Sequence, residues 1–97
     1  MTMKHNSSIR KEFSAAGLCE CCGEPCPNGR ECHHVFTRGA GGPDIRENLI
    51  GLCFKCHRRF HDGHEPRRET LLAIVAEREG TTVEAIVELV NEKRRLK

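Results

Sequence analysis

The apolar residues of this chain fall into helix-like stretches at both ends and into short runs between Gly-rich turns in the middle. At the start, Ile9 and Phe13 lie four residues apart, which places them on one face of a helix. Ser8 is suited to cap the start of this helix, and Gly17 follows its end. The pattern therefore predicts a short helix over 8–16.

The middle of the chain, 18–46, is rich in Gly, Pro and Cys, a composition typical of turns that leave room only for short strands. The pattern predicts a strand at 31–37, a second strand or extended segment at 48–52, and a helix at 56–62, where Gly and Pro are absent. The predicted order is therefore strand, Gly-rich loop, short strand and helix.

The last third of the chain changes to helix-forming residues and predicts a helical hairpin over 66–97. Pro66 suits a first helical position, and Gly80 suits the end of that helix. Thr81 and Glu84 have the spacing of a capping box and predict the start of a second helix. The apolar positions of the two helices are Leu71, Leu72, Ile74 and Val75, then Val83, Ile86, Val87 and Val90. Two roles stay open for the hairpin: it packs onto the common core of a monomer, or it forms the interface of a homodimer.

The length of 97 residues predicts a single domain, 1–97, because a second independent core would need more residues. Only 37% of the residues are hydrophobic, with four Phe and neither Trp nor Tyr, so the apolar core should be thin. Seven Cys and six His offer another source of stability. The odd number of Cys, with His nearby, favours metal binding over disulfides.

No apolar run approaches the roughly 18 residues that a membrane span needs. The start, 1–8, is polar and lacks the apolar stretch of a signal peptide. We therefore expect a soluble cytoplasmic protein without a membrane partner.

Two Cys-x2-Cys pairs, Cys19/Cys22 and Cys53/Cys56, have the spacing at which a tight turn directs both sulfurs at one ion. Four sulfurs complete a tetrahedron and leave no open position, so the predicted ion is a structural Zn²⁺. In comparable small domains the binding of this ion contributes on the order of 10 kcal/mol to folding.

Three further cysteines leave that assignment open. Cys22 and Cys26, or a pair that begins at Cys21, compete for the same ion by their spacing. In the alternative interpretation Cys21, Cys26 and Cys32 are small buried hydrophobic residues or solvent-exposed thiols.

Four histidines lie within 29 residues and are interleaved with the cysteine pairs. His33 and His34 are adjacent, so on a strand their side chains point to opposite faces, and one can bind a metal while the other serves another purpose. His57 and His61 are four apart, which places both on one face of a helix at a spacing suited to one ion. The group can supply three ligands and leave one histidine free.

These stretches resemble the HNH endonucleases, which are nucleases with a ββα-metal fold. The resemblance covers about 18–63 and is carried by ECHHV at 31–35, RGAGGPD at 38–44, ENLIGLC at 47–53, CH at 56–57 and the histidine at 61. It implies a small α+β fold, with a ββα-metal core held by the four-cysteine zinc site, a short N-terminal helix and the C-terminal helical hairpin.

The resemblance also implies roles for single residues. His34 falls on the general base, and His33 falls on a metal ligand that is often Asp in the family. His57 falls on the last motif histidine, a metal ligand, and His61 on an additional ligand of some members. Asn48 falls on the central Asn that holds the catalytic loop and orients the base, and its loss is expected to reduce activity roughly 10- to 100-fold.

The chemistry of phosphodiester hydrolysis suits these residue types. The reaction needs an activated water, an ion that neutralises charge on the phosphate, and a group that accepts a proton from the water. An imidazole-rich site with open positions suits Zn²⁺, Ni²⁺, Co²⁺ or Mn²⁺, and also Mg²⁺ when phosphate and water complete its shell. The predicted function is therefore a metal-dependent DNA endonuclease, a hydrolase that nicks or cleaves both strands.

The net charge is only +2, but 28–68 contains eight basic and five acidic residues. The candidates for phosphate contacts are the arginines closest in sequence to the predicted site, Arg38, Arg58 and Arg59. In the alternative, each of these arginines only belongs to a solvated face of the protein. The basic end, 93–97, is either a DNA-backbone contact or a helix C-terminus that favours cations. Because Trp and Tyr are absent, stacking on single-stranded bases is poorly supported and duplex DNA is favoured.

Two other hypotheses stay open. In one, the protein is a non-catalytic zinc-binding adaptor for DNA or protein, and the histidines only support the structure. In the other, cysteines and histidines form a redox or metal-storage cluster, which predicts more than two tightly held ions per chain. The compact form is also similar to small nucleases encoded by phages and mobile elements, and this resemblance implies the cytoplasm of a bacterium or phage-infected host.

Overall fold

The computed structural model describes residues 7–95 of the 97. Over that range the chain forms a small α+β fold with four α-helices and two two-stranded antiparallel sheets. The elements are α1 (Ser7–Ser14), β1 (Gly17–Leu18), β2 (Pro25–Cys26), β3 (Glu31–His34), β4 (Leu49–Leu52), α2 (Phe54–His61), α3 (Arg68–Glu79) and α4 (Val83–Arg95). Two 3-10 turns, Arg38–Ala40 and Arg46–Asn48, lie in the loop between β3 and β4.

Residues 1–6 and 96–97 lie outside the described range, and with them most of the predicted polar start and the last two positions of the basic end. No helix within 7–95 combines the length and the apolar character that a membrane crossing requires.

Strands β3 and β4 pair antiparallel and are followed directly by α2, which confirms the predicted order of strand, loop, strand and helix. The register places His33 opposite Ile50 and His34 opposite Leu49. Every residue of β4 is buried, so this short strand lies at the centre of the fold. Strand β3 is shorter than the strand predicted at 31–37. Beyond His34, the Phe36 amide donates to the side chain of Asn48 instead of to a neighbouring strand.

Helix α1 packs directly onto β4. Phe13 is buried, and a Cβ atom added to Gly51 would lie 2.6 Å from the carbonyl oxygen of Phe13, so only glycine permits this approach. The helix ends two residues earlier than predicted. Arg30 explains this end, because its guanidinium donates to the carbonyl oxygens of Glu12 at 3.0 Å and Ala15 at 2.9 Å.

The first helix of the C-terminal hairpin starts later than the sequence indicates. Pro66 precedes α3 instead of occupying its first position, and the Glu65–Pro66 peptide bond is cis. The Glu65 carboxylate accepts hydrogen bonds from the Arg67 amide at 3.1 Å and the Thr70 hydroxyl at 2.8 Å, so it satisfies groups at the helix start. Gly80 ends the helix in the left-handed conformation, with φ of 68°, as predicted.

The start of α4 differs from the predicted capping box of Thr81 and Glu84. The hydroxyl of Thr82 accepts a hydrogen bond from the Ala85 amide at 3.1 Å, so Thr82 caps the helix. The cap is one residue later than predicted. Thr81 and Thr82 are adjacent, and the hydroxyl of either type of residue can cap a helix, so the sequence does not distinguish them.

Residues of the hairpin and of the ββα core form one apolar cluster. Its members with no more than 1% exposure are Val35, Ile50, Leu52, Leu71, Val75, Ile86 and Val90. The hairpin therefore packs onto the core that supports β3 and β4, one of the two roles left open for it.

Candidate metal centres and catalytic cleft

Cys19, Cys22, Cys53 and Cys56 converge at one end of the ββα core, with their sulfurs within 4.8 Å of one another. The first pair lies in the turn after β1, and the second brackets the start of α2. In each pair a backbone amide points at the first sulfur, from Cys22 to Cys19 at 3.5 Å and from Cys56 to Cys53 at 3.4 Å. These are the two pairs whose spacing the sequence singled out.

The backbone favours the thiolate form at Cys19, whereas burial raises the pKa of Cys56 in the same group. Burial by itself raises the pKa of Cys19, but the backbone amides of Cys22, Cys53 and Cys21 outweigh it and lower the pKa to about 7. Four convergent sulfurs, one of them readily deprotonated, form the donor set that zinc prefers in closed structural sites. The cluster can therefore hold one zinc ion.

The other three cysteines lie outside this four-sulfur group. Cys21 and Cys26 are half-buried and pack against the apolar cluster, which agrees with the interpretation of them as small hydrophobic residues. Cys32 is half-buried on β3. Burial is the main cause that raises the pKa of each thiol above its ordinary value.

A second group joins His33 of β3 to His57 and His61 of α2, with one ring nitrogen from each within 4.8 Å of the others. The Nε2 atoms of His57 and His61 are 3.1 Å apart. The His33 side chain is buried, and its Nε2 has no hydrogen-bond partner within residues 7–95. A buried nitrogen left unpaired beside two other imidazoles fits a metal ligand, because the bond to an ion would satisfy it.

The protonation state of His33 also suits metal binding. Burial lowers its pKa to about 3, with the neighbouring His57 and His61 as further causes. The ring is therefore neutral at physiological pH, the form in which imidazole binds a metal.

Glu31 orients one of these histidines. Its carboxylate Oε1 lies 2.5 Å from Nδ1 of His57, which leaves Nε2 of that ring facing the histidine group. A carboxylate on the outer nitrogen of a ligating histidine fixes its tautomer and orientation. No separate role for Glu31 was predicted from the sequence, although its spacing of two from His33 places both residues on one face of β3.

His34 is outside the three-histidine group and has its own acidic partner. Its Nε2 lies 2.5 Å from Oδ1 of Asp44, whose side chain is only 8% exposed. The other carboxylate oxygen of Asp44 lies 3.3 Å from Nε of Arg10 on α1. No role for Asp44 or Arg10 was predicted from the sequence, because neither contact follows from the spacing within one element.

Asn48 is fully buried and holds the loop between β3 and β4. Its side-chain oxygen accepts from the Phe36 amide at 2.8 Å, and its side-chain nitrogen donates to the carbonyl oxygens of Phe36 and Pro43, both at 3.0 Å. Pro43 directly precedes Asp44, so these bonds fix the segment that contacts His34.

A cleft of about 220 Å³ opens over both sets of histidines. Its lining residues are Cys32, His33, His34, Thr37, Arg38, His57 and His61. The adjacent His33 and His34 thus border the same cleft, although the strand alternation predicts opposite faces; His34 is the last residue of β3. Of the three arginines predicted to contact DNA, Arg38 borders the cleft, and Arg58 and Arg59 lie exposed on α2.

Comparison with known proteins gives one family. The HNH endonuclease family matches residues 19–63. A relative, the Type IV methyl-directed restriction enzyme EcoKMcrA of Escherichia coli strain K12, is 40% identical over an alignment of 52 residues, which covers 46% of this chain and 19% of that enzyme. The chain thus spans about a fifth of the length of this curated relative. No solved structure matches the chain.

Proposed function

We propose that this chain, of which residues 19–63 belong to the HNH endonuclease family, is a metal-dependent endonuclease that hydrolyses phosphodiester bonds in DNA. One observation carries the proposal: His34 lines the same cleft as His33, His57 and His61 but does not belong to the metal-binding group that those three form. This arrangement supports a division of tasks in which one imidazole exchanges a proton and three others hold an ion.

In the proposed reaction His34 is the general base. It accepts a proton from a water molecule, whose oxygen attacks the phosphorus as the bond to the leaving sugar oxygen breaks. Asp44 orients His34 and stabilises the imidazolium that forms, because its carboxylate lies 2.5 Å from Nε2. Asn48 acts through the loop, since its three hydrogen bonds fix the backbone beside Asp44.

His33, His57 and His61 are the proposed ligands of the catalytic ion, with Glu31 as the residue that orients His57. A divalent ion bound there supplies positive charge that neutralises the phosphate in the transition state. Zn²⁺, Ni²⁺, Co²⁺, Mn²⁺ and Mg²⁺ are the candidate ions. The four cysteines would hold a structural Zn²⁺, and through it the turn after β1 would be joined to the start of α2.

Duplex DNA is the proposed substrate. Arg38 borders the cleft, which supports a contact between its guanidinium and the DNA backbone, and Arg58 and Arg59 lie exposed along α2 as further candidates for such contacts. The restriction enzyme found as a relative supports DNA as the polymer. One cleft cuts one strand, so a double-strand break requires a second copy or a second binding event.

A plasmid-nicking assay tests the proposal. Wild-type protein with Mn²⁺, Mg²⁺, Ni²⁺, Co²⁺ or Zn²⁺ should convert supercoiled plasmid to the nicked form, and His34→Ala should abolish this conversion. His64→Ala is the matched control, because His64 is exposed after α2 and borders neither the cleft nor either metal group. The control should nick at the wild-type rate.

The same variants distinguish the alternative function. A non-catalytic zinc-binding adaptor would nick no plasmid with any of these ions, and His34→Ala would then bind DNA as the wild type does. Zinc content and far-ultraviolet circular dichroism of His34→Ala should equal those of the wild type, since His34 belongs to neither group of ligands.

A further inference from the structure

A second cavity, of about 470 Å³, adjoins the catalytic cleft on the side of α1. Arg10, Lys11 and Ser14 of α1 line it on one side. Its other lining residues are Cys32, His34 and Arg38, which also line the cleft. The two spaces therefore meet at His34, the proposed base.

The lining of this α1 cavity is cationic. It contains two arginines, a lysine and a hydroxyl, and no carboxylate. The carboxylate of Asp44 contacts two of the lining residues, because it lies between His34 and Arg10. Lys11 is exposed and forms no ion pair within the described part of the chain, so its ammonium group is available to an anion.

We propose that the α1 cavity binds the phosphate that flanks the scissile one on the same DNA strand. This inference rests on the proposed nuclease function. A DNA strand carries one phosphate per nucleotide, about 3.4 Å apart along the helix axis. If one phosphate lies at His34, the next phosphate of the same strand must therefore lie over an adjoining part of the protein surface. The α1 cavity is an adjoining space with the charge and hydroxyl donors that a phosphate requires.

The geometry also joins this phosphate site to the base. Arg10 contacts Asp44 at 3.3 Å, and Asp44 contacts His34, so α1 is connected to the reacting side chain by a continuous chain of contacts. Helix α1 lies before residue 19, outside the segment that matches the family. Substrate binding by α1 is therefore a property of this chain that the shared segment alone does not supply.

The test compares Lys11→Ala with Lys55→Ala in the full chain. Lys55 is the matched control, because it is exposed on α2, pairs with Glu24 at 3.4 Å, and lines neither the cleft nor the α1 cavity. Binding of a duplex oligonucleotide is followed by fluorescence anisotropy over a salt series, with His34→Ala added to each protein so that cleavage does not interfere. Nicking kinetics use the single variants.

Lys11→Ala should weaken binding and make the slope of log K against log salt shallower by about one, the value for one lost phosphate contact. Its KM should rise while kcat stays within about twofold of the wild type, because the lost contact forms equally before and during the reaction. Lys11→Glu should weaken binding further. Lys55→Ala should leave the slope, KM and kcat unchanged.

The outcomes are distinct. The inference is overturned if the slope of log K against log salt is equal for the wild type, Lys11→Ala and Lys55→Ala. It is also overturned if both lysine variants lose the same binding affinity, because this result indicates only a general attraction between positive charge and DNA. If the wild type nicks DNA, His34→Ala does not, and Lys11→Ala behaves as the wild type, the α1 site is wrong and the nuclease function stands. If the wild type neither binds nor nicks DNA, both fail together.

Discussion

At the level of single residues, the contact between His34 and Asp44 joins two positions that are ten residues apart in sequence. The carboxylate lies against Nε2, so it favours the tautomer in which this nitrogen carries the proton and the opposite nitrogen of the ring is free to accept one. Arg10 contacts the other carboxylate oxygen and thus restricts the orientation of Asp44.

Asp44→Asn is expected to lower kcat for plasmid nicking by about 10- to 1,000-fold with little change in KM, because the amide keeps the shape but not the charge of the carboxylate. Long-range ¹⁵N–¹H NMR of the His34 ring should show protonated Nε2 in the wild type and an altered tautomer distribution in the variant. Glu88→Gln, an acid-to-amide change on the exposed side of α4, is the control and should match the wild type. A wild-type ring protonated at Nδ1 would contradict this role.

Gly42 offers a second test at the same scale. A Cβ atom at this position would lie 1.6 Å from the carbonyl oxygen of Phe36 and 2.9 Å from Nδ2 of Asn48, so no side chain fits without displacing the loop. Gly42→Ala should lower the free energy of unfolding by at least about 1–3 kcal/mol, measured by urea denaturation in excess zinc. Gly39→Ala, where nothing lies within 4 Å of the added atom, should leave the stability near that of the wild type.

At the level of elements, α1, α3 and the 3-10 turn before β4 meet at Phe13. The guanidinium of Arg46 lies 5.2 Å from the centre of its ring, and that of Arg78 lies 4.7 Å away. Arg78 also donates to Glu20 at 2.8 Å and to the carbonyl oxygen of Arg46 at 2.7 Å. This group holds the C-terminal hairpin against the helix that lines the α1 cavity.

Arg78→Met should destabilise the protein by about 1–3 kcal/mol, because it removes hydrogen bonds to charged partners and the cation–π contact while keeping a long side chain. Arg67→Met, at an exposed position with a loose 3.9 Å contact to Glu65, should change stability by less than about 0.5 kcal/mol. Urea denaturation at saturating zinc measures both. Equal effects of the two substitutions would show that Arg78 does not connect the hairpin to α1.

The observed helices and strands show how much of the secondary structure the sequence pattern predicts. Together with the positions of Gly and Pro, it predicted the four helices described within 7–95 and both paired strands of the core, the second as a strand or extended segment. Helix α2 was predicted from the absence of Gly and Pro over 56–62 and not from an apolar periodicity. The boundaries were less accurate. The Arg30 side chain bonds the end of α1, and the Glu65 carboxylate accepts hydrogen bonds at the start of α3. At the end of β3, the Asn48 side chain accepts the hydrogen bond that a neighbouring strand would otherwise accept. Each of these contacts depends on where a side chain lies in the folded chain.

At the level of the whole molecule, the two candidate metal groups are joined by α2. Cys56 and His57 are consecutive in this helix and face different groups, so the sulfur cluster and the histidine cluster share one rigid element. The position of two catalytic candidates thus depends on the cluster that fixes the start of α2.

Removal of zinc should therefore unfold the protein and abolish nicking together. A strong chelator should lower Tm by tens of degrees, because structural zinc contributes on the order of 10 kcal/mol in small domains. Cys53→Ser should lose the tightly bound zinc, whereas Cys26→Ser, outside the cluster, should retain one equivalent. Colorimetric zinc release and thermal denaturation are the measurements. A wild-type Tm that chelation leaves unchanged would contradict the structural role.

The sequence alone determined the helical segments, the two cysteine pairs and the pairing of His57 with His61, because in each case the spacing along the chain is itself the geometric constraint. Tertiary structure decided which groups meet across elements. The fold of the loop between β3 and β4 brings Asp44 to His34, and the packing of α2 brings His57 to Glu31. The packing of α1 on the sheet places Arg10 and Lys11 beside the cleft. No local pattern encodes such contacts, because they depend on the relative position of elements and not on the spacing within one.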